Sequence, residues 1–216
     1  MSTYSEYEVK GRGAAQTAGM VSRGKLAARS ATTRAALMTA ARELFGSQGF
    51  AATTVDQVAA EAGVTKGAVY HQFAGKAELF QAVYEELEVD LAQRSVAAAA
   101  GGRTGLGRLR RGLDAFLDAC LEAPIQRIVL LDGLSVLEWE AWHELGTQYS
   151  LAVLQAGLEA AMAAGELRRR PVAPLAHLVQ GALIQAGMVL ARAENPVQMR
   201  ATLGKEMHAL IDGLRT

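Results

Sequence analysis

Five residues between positions 65 and 71 could together contact a nucleic acid. They carry two hydroxyl groups, an ammonium group, an imidazole and one position without a side chain: Thr65, Lys66, Gly67, Tyr70 and His71. The hydroxyl, ammonium and imidazole groups can donate hydrogen bonds to phosphates or base edges. A glycine lets the backbone come close to a ligand. We call these five residues the ridge, and their chemistry predicts contact with duplex DNA.

The elements that must position the ridge are two short helices joined at Gly63. Thr54 followed by Gln57 is typical of a capping box that begins the first helix. Gly63 can take the left-handed conformation of a tight turn. Ala59 lies four residues before it and Val69 six after, which favours a helix-turn-helix whose second helix enters the major groove. An ordinary helical hairpin with a solvated polar face is the alternative.

The segment from Ala40 to Leu87 closely resembles the DNA-binding domain of TetR-type bacterial transcription regulators. Gln72 departs from this pattern, because many members carry histidine there. The residues that carry the resemblance are Leu44, Phe45, Gly49, Phe50, Gly63, Val64, Gly67, Tyr70, Phe73, Lys76 and Leu79. The resemblance implies a homodimer that binds a palindromic operator in double-stranded DNA and responds to a small-molecule effector.

Lys76 is predicted at the first turn of a fourth helix, following Ala74 and Gly75. A cation is unfavourable at the positive end of a helix dipole, unless a bound phosphate occupies that end. The resemblance implies the same phosphate contact. The predicted DNA-binding residues are therefore Thr54, Thr65, Lys66, Gly67, Tyr70, His71 and Lys76.

Composition favours an all-α protein of the cytoplasm. Half of the 216 residues are hydrophobic and only four are proline. A single cysteine excludes an internal disulfide framework. We expect no membrane span, because no run of about eighteen apolar residues occurs, and the N-terminal residues lack the apolar region of a signal peptide.

Charge is distributed unevenly although the net charge is zero. Residues 1–76 carry nine Lys/Arg and five Asp/Glu, whereas residues 77–216 carry thirteen and seventeen. A basic N-terminal part fits DNA contact at that end. We expect a flexible basic arm at 1–29, a three-helix DNA-binding head at 30–76, and an effector-binding and dimerisation domain at 77–216. Arg23, Lys25 and Arg29 would lie in the arm, which could also be a solvated tail.

Hydrophobic periodicity predicts about nine helices in all. The first is expected from Thr32 to Ser47, and the fourth from Lys76 to about Ala99, long enough to link the head to the second domain. The resemblance implies that the second domain binds a ligand, and a hydrophobic lining with few polar groups would suit a mostly apolar one. The candidate lining residues are Leu91, Phe116, Cys120, Leu134, Trp139, Trp142, His143, Tyr149 and His177. Taken one at a time, each of them is better explained as a core residue.

The last two predicted helices suit pairing with a second copy of the chain. Small residues in 174–193 allow close helix approach, and the final helix has an apolar seam at 4-4-3-4 spacing. The expected interface residues are Leu183, Ala186, Leu190, Leu203, Met207 and Leu210. The alternative is that both helices pack within one chain.

The sequence offers little for catalysis. His143 lies beside Glu144 and one turn after Glu140, but no second histidine follows at the spacing of a zinc site. An exposed helix face accounts for these three residues. We therefore expect no enzyme, no catalytic residue, no metal site and no cofactor. The interpretation is a ligand-released repressor; an activator or metal-responsive regulator of the same fold, and a helical enzyme or scaffold, are alternatives.

Overall fold

The chain folds into nine continuous helical runs over the described residues, as predicted for an all-α protein. A computed structural model describes the backbone of residues 5–215 and the side chains of residues 27–215. The α-helices are α1 Ser5–Ala52, α2 Val55–Glu61, α3 Lys66–Gln72, α4 Lys76–Ala100, α5 Gly105–Ala119, α6 Gly133–Val136, α7 Trp139–Gly146, α8 Ala152–Ala163, α9 Val172–Leu190 and α10 Pro196–Asp212. There are also two π-helical segments. The first, Ile125–Asp132, continues directly into α6, and the second, Thr147–Leu151, joins α7 to α8.

Helix α1 is longer than the sequence predicts at both ends. It begins at Ser5 instead of Thr32, so the positions expected to form a flexible arm belong to the helix. No proline interrupts this segment, and alanine is frequent in it. Arg23 and Lys25 lie outside the residues whose side chains are described, whereas Arg29 is exposed. Near its other end the helix is kinked at Gly49, where φ is +84°.

The turn at Gly63 has the geometry of a Schellman motif. Gly63 has a φ of +66°, in the left-handed region that favours glycine. The Val64 amide donates to the carbonyl of Ala59 at 2.9 Å, and the Gly63 amide donates to that of Ala60 at 3.1 Å. These two bonds satisfy carbonyls that the end of α2 would otherwise leave without partners. The predicted turn is confirmed.

Both helices of the motif begin at the predicted capping residues. The Gln57 amide donates to the Thr54 hydroxyl at 3.2 Å, and the Thr54 amide donates to the Gln57 side chain at 2.8 Å. This is a complete capping box. The Ala68 amide donates to the Thr65 hydroxyl at 3.3 Å, which caps α3. The side chains thus fix where α2 and α3 start.

An aromatic cluster joins α1 of the head to α4. Phe45, Phe50 and Phe80 have ring centroids 5.2–5.9 Å apart, with Phe80 edge-on to the other two. Val69 and Phe73 on the inner face of α3 are buried. Because the inner face of α3 points into this core, its other face is left outward.

The second half of the chain is built around α4. This 25-residue helix leaves the head and packs along α5, which in turn packs against α8. The first π-helical segment, Ile125–Asp132, which we call the head-contact helix, packs against α1 and α9. Both α4 and the head-contact helix therefore connect the second half of the chain to the head.

Helix α9 is apolar and only partly buried within the chain. By length and composition alone it could cross a membrane, because an 18-residue stretch of it has a mean hydropathy of 1.4. Of that stretch, 28% is buried inside the protein. The sequence predicted no membrane span because it has no uninterrupted run of apolar residues, and this criterion is stricter than mean hydropathy. Within the chain, α9 packs against α8 and α10. It leaves Leu178 exposed at 73%.

Candidate functional site

All five residues of the ridge lie on the surface of the protein, outside its core. Thr65, Lys66, Gly67 and His71 are exposed, and Tyr70 is exposed at 51%. None of them contacts the second half of the chain in the hydrogen bonds and ion pairs described for residues 27–215. The structure brings these side chains together on one outward face of a seven-residue helix.

Lys66 is held by a carboxylate from the preceding helix. Its ammonium lies 3.0 Å from a carboxylate oxygen of Asp56 on α2, and both side chains are largely exposed. The hydrogen bond and the charge of Asp56 raise the pKa of Lys66, so it stays protonated at neutral pH. Since the pair is exposed, another anion can replace the carboxylate at little cost.

Gly67 has no partner within the chain that requires a glycine. A Cβ atom built there would meet only the Thr65 hydroxyl oxygen, at 3.9 Å, which is an ordinary contact. Its φ is not in the left-handed region. A glycine inside a helix lowers helix stability by about 0.5–1 kcal/mol relative to alanine. The fold alone therefore gives no reason for glycine at this exposed position.

Lys76 differs from the prediction, because its ammonium points into the head. It donates to the backbone carbonyls of Phe50 at 2.8 Å and Thr53 at 2.9 Å. It also lies 4.1 Å from the centroid of the Phe50 ring. These carbonyls end α1, and a cation there is favoured by the negative end of the helix dipole. This contact, in place of a phosphate, accounts for a lysine at the first turn of α4.

The other end of α3 is fixed by residues of α1 that the sequence did not single out. The Gln72 side chain donates to the Ser30 hydroxyl at 2.8 Å. Arg34 lies 4.3 Å from the centroid of the Phe73 ring and donates to the Gln72 carbonyl. Gln72, the departure from the family pattern, therefore helps to hold α3 against α1.

The head-contact helix is anchored to the end of α1 by Asp132. This carboxylate accepts from the Phe50 amide at 2.8 Å and from the Arg127 guanidinium at 3.3 Å. A Cβ atom at Gly49 would lie 2.2 Å from the same guanidinium, which would have to shift, and the φ of +84° itself favours glycine. Sequence reasoning missed this contact because Asp132 lies 82 residues from Phe50.

A cavity of about 530 Å³ lies between the helices of the second half. Its walls come from α4, α5, the head-contact helix, α7, the second π-helical segment, α8 and α9. The lining residues are Tyr84, Glu88, Ala92, Ser95, Val96, Ala99, Gly105, Arg108, Leu109, Gly112, Leu113, Phe116, Val129, Leu130, Trp142, His143, Gly146, Ser150, Ala152, Val153, Leu154, Ala156, Gly157, Ala160, Gln180, Leu183 and Ile184. Most are apolar or small, as is usual for small-molecule sites.

Three of the nine residues predicted for a ligand pocket line this cavity: Phe116, Trp142 and His143. The other six do not: Leu91, Cys120, Leu134, Trp139, Tyr149 and His177. Their contacts explain why. Leu91 is a core residue, and Leu134 is half exposed on α6. Trp139 and His177 stack on either side of the His143 ring, at 5.6 and 6.0 Å.

The two remaining predicted residues are engaged elsewhere. Tyr149 donates its hydroxyl to Glu85 at 2.9 Å. Cys120 is fully buried, and its sulfur would lie 3.1 Å from a Cβ atom at Gly187. Burial raises the pKa of this thiol to about 12, so it is protonated and unreactive at neutral pH.

Glu88 is the lining residue that sequence reasoning overlooked. It lies on α4 with 5% of its surface exposed and accepts from two hydroxyl groups, those of Tyr84 and Ser150. In the sequence it reads as one more acid in the polar pattern of a long helix. Only the packing of α4 against the second π-helical segment shows that it faces inward.

Comparison with known proteins identifies the family. Residues 106–214 match the family model described as the tetracyclin repressor-like C-terminal domain, and residues 37–83 match that of bacterial regulatory proteins of the tetR family. The first match alone spans more than half of the chain. The chain belongs to the TetR family of helix-turn-helix transcriptional regulators.

The curated relatives match this chain over stretches of different length. The chain is 51% identical over 59 residues to the HTH-type transcriptional regulator SrpR of Pseudomonas putida, a match that covers 27% of this chain and 28% of SrpR. It is 23% identical over 150 residues to the TetC protein of transposon Tn10 from Escherichia coli, covering 69% of this chain and 76% of that protein. The match to SrpR thus spans little more than a quarter of the relative's length.

Solved structures match over most of the chain. A TetR-family transcriptional regulator from Pectobacterium atrosepticum has a TM-score of 0.75 at 28% identity, covering 88% of this chain and 97% of that one. FadR from Bacillus subtilis, in complex with stearoyl-CoA, has a TM-score of 0.72 at 18% identity, covering 83% and 98%. The second likeness shows the fold alone.

The residues predicted for a TetR-type dimer interface divide into two groups. Leu183, Ala186, Leu190 and Met207 are buried in the chain's own core, so a second copy would not reach them in this arrangement. Leu203 is half-buried against that core, and Leu210 is exposed at 52%. The apolar seam of α10 thus packs mainly within one chain. The exposed large apolar side chains of α9 and α10 are Leu178, Val197 and Leu210.

The contacts of Lys76 predict that it contributes to stability. Lys76→Met should lower the free energy of unfolding by about 1–3 kcal/mol, because it leaves two helix-end carbonyls without their charged donor. Lys66→Met is the matched control and should leave stability unchanged, since its ion pair is exposed. Urea denaturation followed by circular dichroism measures both. Equal midpoints for Lys76→Met and the unmodified protein would contradict the assignment.

Proposed function

We propose that this TetR-family regulator is a ligand-responsive repressor. It binds a palindromic operator as a homodimer and is released by a small molecule in the cavity. The observation that carries the DNA-binding part is Gly67. It is an exposed glycine inside a short helix, with space for a side chain and no intramolecular need for its absence. Close approach of a ligand to the backbone of α3 supplies the reason that the fold does not.

In the DNA complex, α3 enters the major groove with the ridge facing the bases and phosphates. The backbone at Gly67 approaches the DNA closely. Lys66 exchanges the carboxylate of Asp56 for a phosphate oxygen, while the hydroxyls of Thr65 and Tyr70 donate to the backbone or base edges. Thr54 and His71, both exposed, supply further phosphate contacts. Lys76 acts indirectly, by holding the end of α1.

The dimer forms through the outward faces of α9 and α10. Leu178 and Val197 are exposed at 73% and 71%, and the small residues Gly181 and Ala201 on the same faces leave room for a close partner. Two helices from each copy would make a four-helix bundle. This pairing sets two α3 helices in successive major grooves, roughly 34–36 Å apart.

The cavity is the proposed effector site. Its volume of about 530 Å³ is within the usual range for small-molecule sites, and its walls are mainly apolar. Trp142 and Phe116 offer aromatic surface, and Glu88 offers a buried polar contact. The effector is therefore a predominantly apolar compound.

The head-contact helix joins this cavity to the head. Val129 and Leu130 on it line the cavity, and Asp132 at its end accepts from the Phe50 amide. Helix α4 also runs from the cavity wall to the head. A ligand that binds more tightly when these helices are shifted would favour a head spacing that no longer matches the operator.

The protein is proposed to act in the cytoplasm, where operator DNA is accessible. An activator or a metal-responsive regulator would use the same DNA-binding surface, and would show DNA binding strengthened by the ligand or metal. Among the described residues no group of three or more His, Cys, Asp or Glu is placed to hold a metal ion. A helical enzyme or scaffold would lack salt-sensitive affinity for DNA.

Gly67→Ala should separate stability from DNA binding. Alanine fits the helix, so the free energy of unfolding should rise by about 0.5–1 kcal/mol. Operator affinity should fall at least several-fold, because the added methyl group lies where the backbone meets the DNA. Band shifts on DNA selected from genomic fragments by the purified protein measure this. A more stable variant with unchanged affinity would remove Gly67 from the DNA-binding surface.

Leu178→Glu should convert the dimer into a folded monomer. A carboxylate at the centre of an apolar interface loses its hydration without gaining a partner. Light scattering coupled to size exclusion measures the mass. The matched control is Leu134→Glu, which places the same charge on an exposed leucine of α6. If Leu178→Glu keeps the mass of the unmodified protein, this face is not the dimer interface.

The proposed coupling predicts which cavity residues affect the head. Leu130→Ala and Asp132→Asn should both increase amide hydrogen exchange across residues 46–53, because each loosens the head-contact helix on α1. Leu109→Ala removes the same atoms from a similarly buried cavity wall on α5, which does not touch this segment. Equal effects of Leu130→Ala and Leu109→Ala on that peptide would rule out transmission through the head-contact helix.

A further inference from the structure

Glu88 is the single charged side chain buried among residues 27–215. It lies in the wall of the cavity, on α4, one turn after Tyr84. A carboxylate in a protein interior loses much of its hydration, which is unfavourable unless a positive charge or several hydrogen bonds replace it. Its surroundings therefore indicate what the cavity is built to receive.

Two neutral hydroxyl groups are the partners that the chain provides. Tyr84 donates to one carboxylate oxygen at 3.2 Å, and Ser150 donates to the other at 2.5 Å. No lysine, arginine or histidine of the described side chains forms an ion pair with Glu88. Burial raises the pKa of Glu88, and the two hydroxyls oppose that change only in part. The site has its hydrogen-bond donors but lacks a positive charge.

Arg108 and His143 also line the cavity, and both are engaged with other groups. Arg108 is exposed, and its guanidinium donates to the Gly102 carbonyl at 3.2 Å, near the end of α4. Ala99 at that end lies eleven positions after Glu88 on α4, about 16.5 Å away at the helical rise of 1.5 Å per residue. His143 lines the cavity, but its ring stacks between Trp139 and His177.

The wall around Glu88 offers an aromatic surface as well as a carboxylate. Trp142 lines the same cavity, and its side chain interacts with that of Tyr84, the hydroxyl donor to Glu88. An indole face attracts a cation, more strongly when water is excluded. The rest of the cavity, towards Leu109 and Leu113, is apolar. An apolar body with one cationic end matches both parts.

We propose that the effector is a predominantly apolar molecule with a protonated amine, which pairs with the carboxylate of Glu88 and lies against Trp142. This rests on the proposed function of the cavity as the effector site. The amine supplies the positive charge that the chain does not, and the apolar body fills the cavity along α4. An acidic head group that pairs with Arg108 at the far end of the cavity is the competing possibility, and the experiment tests it as well.

The test uses three probes with one biphenylbutyl body and different head groups: a primary amine, an alcohol and a carboxylic acid. Their binding to the full chain is measured by quenching of tryptophan fluorescence. The amine should bind the unmodified protein about ten- to one-hundred-fold more tightly than the alcohol, as expected for one buried hydrogen bond to a charged group. Equal affinities, tighter binding of the acid, or no binding of the amine would overturn the proposal.

Glu88→Gln keeps the shape of the side chain and an oxygen for the two hydroxyl donors, but removes the charge. The preference for the amine should disappear, while alcohol affinity stays the same and shows that the cavity is intact. Glu85→Gln, one turn away and outside the cavity lining, is the matched control and should retain the preference. Ser150→Ala, which keeps the carboxylate, should retain it too. Persistence of the preference in Glu88→Gln would refute the pairing.

Band shifts with genomic operator fragments separate this proposal from the function on which it rests. If the amine binds through Glu88 and releases the DNA, both are supported. If it binds through Glu88 and leaves DNA binding unchanged, the ligand class is supported and the effector role of the cavity is refuted. If the alcohol or acid binds more tightly and releases the DNA, the effector role is supported and the ligand class is refuted.

Discussion

The backbone at the end of α1 has to be satisfied by groups from two other parts of the chain, and the arrangement of the two domains depends on this. Lys76, at the start of α4, donates to the carbonyls of Phe50 and Thr53. Asp132, at the end of the head-contact helix, accepts from the Phe50 amide. The Lys76 ammonium donates to the two carbonyls and the Asp132 carboxylate accepts from the amide, all within residues 50–53. Both connections between the domains thus converge on one short segment.

This convergence gives the head-to-body junction a definite geometry. The kink at Gly49 exposes the Phe50 amide to Asp132, and the missing side chain leaves space for Arg127. The Phe50 ring then packs on Phe45 and Phe80. A movement of the head-contact helix or of α4 would therefore shift the base of the helix-turn-helix as a unit, since neither can move without changing the partners of the same backbone groups.

Local signals in the sequence predicted the head well. The capping box at Thr54, the glycine turn at Gly63 and the cap at Thr65 involve residues within five positions of one another, so spacing alone specifies them. Lys76 shows the limit of such signals. Its position at a helix start was correctly predicted, but its partners lie 23 and 26 residues away. A rule based on the nearest helix end does not reveal these partners.

The helical domain was predicted more accurately as a set of helices than as a site, since only three of the nine predicted lining residues line the cavity. Periodicity identifies an apolar stripe, as in α10, without showing whether α5 and α9 or a second copy covers it; Met207 proved to be buried within the chain. The same ambiguity affected the cavity. Residue type favoured Trp139 and His177, which stack outside it, and gave no reason to select Glu88, since an acid on a long helix is usually solvated.

The buried thiol of Cys120 has a practical consequence for studying the regulator in solution. It is the one cysteine in the sequence, and with a pKa of about 12 it presents no thiolate at neutral pH. A second cysteine introduced on the surface of α3 would therefore react with a maleimide or nitroxide reagent selectively, without removal of the native residue. In the proposed dimer, spin labels attached in this way would report the separation of the two α3 helices directly, with and without an added compound.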